Sequence, residues 1–97
     1  MKSKFLKEAD EDLKDFDIWG QIIKKLEENG KTVDWLSEQV PQGKKTFYWF
    51  YYRKRIKTDM LMDVSRILKH NFFEYCSEFV ERALAKKRER ERTDQNV

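Results

Sequence analysis

Proline, glycine and cysteine are scarce in this chain: one, three and one among 97 residues. With so few turn-formers and few β-branched residues, the composition argues against many short strands and for helices. A lone cysteine, Cys76, leaves no internal disulfide, which is consistent with a reducing compartment. Together with a single histidine, His70, it is too little for a structural zinc site. Cys76 is expected to act as a small core residue, and His70 as a surface or capping residue. No apolar run approaches the roughly 20 residues of a membrane-spanning helix. The opening MKSKFLKEADED is too polar for a signal peptide, so a cytoplasmic protein with no membrane partner is expected. There is no Gly-rich phosphate loop and no visible nucleophile–base pairing, and the carboxylates are spread as caps and solvated faces. A protein without catalysis, cofactor, metal or small-molecule ligand follows as the expectation.

Acid, too, is missing from one place. Residues 1–40 carry seven Lys against ten Asp or Glu, and residues 59–97 carry eight of each sign. Residues 41–58 hold six Lys or Arg and no acid at all, so the excess positive charge of the chain lies there. A local basic patch suggests a polyanionic partner; most charge runs, however, are simply solvated faces. Within it, KKTFYWFYYRKR sets six consecutive rings between cationic clusters.

What is present is helical periodicity. Ile18, Trp19, Ile22, Ile23 and Leu26 mark a first helix, capped by Asp15 or Asp17 and stopped at Gly30. Thr32 is expected to cap a second, short helix with Val33, Leu36 and Val40 on one side and Pro41 at its end. A third begins near Lys44 and runs through the aromatic block. Thr58 is expected to cap a fourth, striped by Met60, Leu61, Val64, Ile67 and Leu68. Asn71 to Glu74 has the capping-box pattern and opens a fifth, with Phe72, Phe73, Cys76, Phe79, Val80, Ala83 and Leu84 as its apolar positions. The expected fold is all-α, a compact bundle of about five helices. Its expected divisions are an N-terminal extension at 1–14, where Phe5, Ala9 and Leu13 suggest a short helix, a main domain at 15–84, and a charged helix end with a flexible tail at 85–97.

A short helix, a tight turn and a cationic helix in succession outline a helix-turn-helix. From Ile18 to Phe79 the chain resembles the lambda-repressor-like, Cro/repressor-type helix-turn-helix family. The segments that carry the likeness are IWGQIIKKLEENGKTVDWLSEQV, GKKTFYWFYYRKR and IKTDMLMDVSRILKHNFFEYCSEF. It departs in the turn, where the family has Gly and an apolar residue and this chain has Pro41 and Gln42. The resemblance implies sequence-specific binding of double-stranded DNA by a small bacterial or phage-type transcriptional regulator, with helix 44–55 in the major groove. It also implies a homodimer reading two half-sites about one helical turn apart.

On a helix, Phe47, Phe50, Tyr51 and Lys54 share one face. The matching family positions for Phe47 and Phe50 pack inward, so these two are core, with Tyr51 at the margin. Lys45, Tyr48, Trp49 and Tyr52 share another face, which the family turns to DNA. Lys44, Lys45, Thr46, Tyr48, Trp49 and Tyr52 are therefore the expected base contacts: Lys for guanine acceptors, Thr for either base type, and Tyr48 or Trp49 for thymine methyls or the sugar-phosphate edge. Arg53, Lys54, Arg55 and Lys57 suit phosphates, with Lys31 and Thr32 at the second helix's start. Lys44 and Lys45 support the DNA reading most, having no acidic neighbour within their own segment. Trp19 and Trp35 are expected to pack. Phe79, Val80, Ala83 and Leu84 are the expected dimer surface, although the same stripe could fold back on the first helix. The alternative is a protein–protein interaction module that kept the fold and lost DNA binding, using Tyr48, Trp49 and Tyr52. A third reading is single-stranded nucleic acid stacked on the exposed rings.

Overall fold

The computed structural model describes residues 15–95, with side chains placed through Arg88. The described residues form five helices and no strand: α1 (Ile18–Glu28), α2 (Val33–Gln39), α3 (Lys44–Arg53), α4 (Thr58–Ile67) and α5 (Phe73–Gln95). The fold is all-α, as the periodicity predicted. The chain divides into two units, Asp17–Tyr75 and a second made by Met1–Phe16 with Cys76–Val97. The short helix expected in the 1–14 extension lies outside the described residues.

The Asp17–Tyr75 unit is built on one apolar core. Ile18, Trp19, Ile22 and Leu26 of α1 are buried, and so are Leu36 and Val40, Phe47, Met60, Leu61, Val64, Leu68 and Phe72. Ser37, also buried, is the small residue on α2, and its hydroxyl donates back to the Asp34 carbonyl. A larger side chain at that position would hold α2 away from its neighbours.

Caps explain most of the helix ends. The Asp17 carboxylate accepts from the Gly20 N–H at 3.0 Å and opens α1. The Tyr75 hydroxyl accepts from the Asp17 N–H at 3.0 Å, so the start of α5 satisfies a donor just before α1. Gly30, at φ 67°, stops α1, and the Lys31 N–H reaches back to the Leu26 carbonyl at 2.8 Å. Thr32 caps α2 by accepting from the Trp35 N–H at 3.0 Å. Asn71 accepts from the Phe73 N–H at 3.1 Å ahead of α5.

Three ends differ from expectation. Lys57, not Thr58, takes the cap position of α4 without a side-chain cap bond, and Thr58 is its first helical residue. Lys54 and Lys69 close α3 and α4 in the left-handed conformation, at φ 57° and 52°, a role glycine usually fills. The segment from residue 85, expected as a charged helix end, is helical in α5 through Gln95.

In the second unit, Phe79 meets Phe16 edge to face, with ring centres 5.4 Å apart. Cys76 is half-buried, and burial raises its thiol pKa.

Candidate nucleic-acid interface

The site is α3, the turn before it and the loop after it. α3 opens at Gly43, whose φ of 93° suits only glycine, and its first turn holds Lys44 and Lys45 with no acid. Nothing in α3 itself therefore offsets the positive end of the helix dipole, and an anion is favoured there.

Three rings fasten the helix. Phe47 is wholly buried and meets Trp19 edge to face at 5.3 Å. Tyr51 also meets Trp19 edge to face, at 5.4 Å, and stacks on Phe47 at 6.3 Å. The Trp19 indole N–H donates to the Arg55 carbonyl at 2.8 Å, which ties α1 to the loop after α3. Phe50, expected in the core with Phe47, is only half-buried and lines an open groove beside Trp49 instead.

The turn is held from α4. Gln42 Nε2 donates to the Asp63 carboxylate at 2.8 Å, and Arg66 pairs with that same carboxylate. Gln42 and Arg66 together hold the Asp63 carboxyl below its ordinary pKa. A polar residue thus fills the place where the resembled family has an apolar one, because α4 supplies an acceptor.

The outward residues fall into two groups. On the flank beside α2, the Lys44 ammonium pairs with Asp34 at 2.9 Å and lies 4.0 Å from Glu38. The Tyr48 hydroxyl donates to the same Asp34 carboxylate at 2.9 Å. Lys44 first, then Tyr48, lower the Asp34 pKa, and the Asp34 carboxylate raises that of Lys44. Burial, then the Asp34 bond, raises that of the Tyr48 phenol. Tyr48 is half-buried against Phe47 at 5.4 Å, so it does not share the open face expected of it. The expected lack of an acidic neighbour for Lys44 held only along its own segment; α2 brings two.

On the opposite flank, Lys45, Thr46, Trp49, Phe50 and Lys57 line an open groove of about 410 Å³. Trp49 is 46% exposed, and the Arg53 guanidinium lies 4.0 Å from its ring centre. Arg53 also donates to the Trp49 carbonyl at 3.1 Å, which fixes the guanidinium over the ring. The Lys57 ammonium lies 5.8 Å from the Phe50 ring centre, and that of Lys54 5.0 Å from Tyr51. Tyr52, 72% exposed, stacks on Tyr48 at 5.6 Å and so continues the flank beside α2, outside this groove.

Among the described residues, Lys45, Arg53, Lys54, Arg55 and Lys57 have no carboxylate within ion-pair distance. Lys31 lies over the Trp35 ring at 4.9 Å, and Thr32 spends its oxygen on the cap. Trp19 is core and Trp35 half-buried. Of the expected dimer residues, Val80 and Leu84 are exposed, Ala83 is half-buried and Phe79 is buried beside Phe16.

Sequence reasoning missed Asp34 and Glu38 as partners of Lys44, and Asp63 as the anchor of the turn. The first had a usable signal, since Asp34 and Glu38 are one helical turn apart on α2 and share a face. The described residues contain no cluster of His, Cys, Asp or Glu able to hold a metal ion, and no helix long and apolar enough to cross a membrane. No protein-family model, curated protein or solved structure matches this chain.

Proposed function

We propose that this protein binds double-stranded DNA in a sequence-specific manner, as a small bacterial or phage-type transcriptional regulator of the lambda-repressor-like kind. In this reading α3 enters the major groove, and Lys45, Thr46, Trp49 and Tyr52 face the bases. Arg53, Lys54, Arg55 and Lys57 take phosphates, joined by Lys31 and by the backbone at Thr32. Lys44 and Tyr48 brace α3 against α2 through Asp34 and set the angle at which the helix is presented.

One observation carries the reading. Five cations on and just after α3, namely Lys45, Arg53, Lys54, Arg55 and Lys57, have no carboxylate paired to them among the described residues, and Lys45, Arg53 and Lys57 lie beside the exposed Trp49 indole. A solvated face on a chain with this many acids would ordinarily interleave the two signs. Val80 and Leu84 on α5 are the exposed apolar residues on which two copies would pair, each reading one half-site.

A second reading is a protein-interaction module using Trp49 and Tyr52. It is favoured by the neutralisation of Lys44 by Asp34 and Glu38, which places acid beside the face a groove would have to accept. Salt separates the two. If four phosphates are neutralised, the slope of log affinity against log salt should be about −3 to −4. Fluorescence anisotropy with labelled duplex at several salt concentrations measures it. A slope near zero, or no binding at low salt, refutes the DNA reading; tighter binding to single strands points to base stacking instead.

A further inference from the structure

The two flanks of α3 offer different chemistry. Lys44 and Tyr48 are already committed to Asp34. The groove on the other side has two aromatic walls, Trp49 and Phe50, and Thr46 contributes a methyl as well as a hydroxyl. Lys45 and Lys57 supply its charge, and no carboxylate lines it. The Arg53 guanidinium, stacked on Trp49 and bonded to its carbonyl, holds the indole wall in place before anything binds. An occupant must therefore be apolar where it meets the rings and anionic within reach of the ammonium groups.

Resting on the DNA reading above, we propose that this groove takes the 5-methyl edge of a thymine, with a neighbouring phosphate on Lys57 and an adjacent base edge on Lys45. Thymine alone of the four bases presents an apolar group in the major groove. The walls suit it, since Phe50 has no hydrogen-bonding group and Trp49 offers only one indole donor. Guanine, cytosine and adenine lack that methyl and would leave the Trp49 and Phe50 rings without an apolar contact. T·A pairs are thus read here by methyl contact, with Trp49 as the specificity-determining residue.

Deoxyuridine differs from thymidine only by that methyl. The test takes the full chain and a duplex that it selects from a random pool, and replaces each thymine in turn by deoxyuridine. Burial of one methyl predicts about fourfold weaker binding at one or two positions and no change elsewhere. In Trp49→Ala, whose substituted side chain is exposed, thymine and deoxyuridine at those positions should bind alike. In Met62→Ala, exposed on α4 and outside the groove, the fourfold difference should persist. Should Trp49→Ala bind too weakly to measure, Thr46→Ser carries the comparison, and its ratio should shrink. Loss at no position, or a loss unchanged in the groove variants, overturns the thymine assignment while salt-dependent duplex binding still upholds the DNA reading. If no duplex is selected, both fall, and a protein occupant of the groove takes their place.

Discussion

Phe47→Ala is the substitution that most sharply tests the division of the aromatic block. Phe47 is 0% exposed, edge-on to Trp19 at 5.3 Å and stacked with Tyr51 at 6.3 Å. Truncating a buried Phe usually costs about 3–5 kcal/mol. Lost edge-to-face packing adds roughly 0.5–1.5 kcal/mol, which places this site in the upper part of that range. For a domain of this size the change corresponds to a fall in Tm of at least about 12 °C. Tyr52, five residues along the same helix, is 72% exposed, and its truncation should cost below about 1 kcal/mol despite the stack on Tyr48. Urea unfolding followed by tryptophan fluorescence and far-UV circular dichroism would measure both. Phe47→Leu, which retains much of the volume, should fall between them and guards against a variant that does not fold. Equal losses at Phe47 and Tyr52, or a larger loss at Tyr52, would refute the assignment of faces.

The other structural predictions concern charge and backbone. Asp34→Ala removes the carboxylate that holds Lys44 and Tyr48, so under the DNA proposal duplex binding should weaken as α3 loses its set angle; unchanged or tighter binding in anisotropy would show that this brace does not set the presentation. Asp34 and Asp63 both have carboxyl pKa values lowered from 3.8, so their contribution to stability is complete above that pH and is lost as pH falls through the lowered values. NMR titration of the two carboxyls should show both midpoints below 3.8, and a midpoint above it for either would contradict the pairing. Lys69→Gly relieves a left-handed residue and should stabilise by about 1 kcal/mol, read as a rise of several degrees in Tm.

The helices were legible because their signals are local. Gly30 marks a helix end by its freedom to adopt positive φ and Thr32 marks a start by its hydroxyl, and the stripe from Met60 to Leu68 needs no partner to be seen. Helix ends at Lys54 and Lys69 were not legible, because lysine carries no preference for the left-handed conformation; it accompanies backbone bonds from the Arg55 N–H to the Phe50 carbonyl and from the His70 N–H to the Ser65 carbonyl. Trp49 and Phe47 could be assigned to outer and inner faces from spacing, but the groove between Trp49, Phe50 and Lys57 could not. It depends on where the loop after α3 carries Lys57, and the Trp19–Arg55 bond helps to set that. Lys44 looked free because charge was counted along the chain, whereas Asp34 reaches it across the turn. Tyr48 was misplaced for the same reason: its hydroxyl follows the acid on α2.

Selection from a random duplex pool by the unmodified protein, set beside selection by a Lys45→Ala, Trp49→Ala double variant, tests the central claim most directly. The account predicts a defined sequence enriched at low salt by the unmodified protein, with its enrichment lost or its consensus relaxed in the variant. No enriched sequence, or the same consensus recovered at the same strength by the variant, would contradict it.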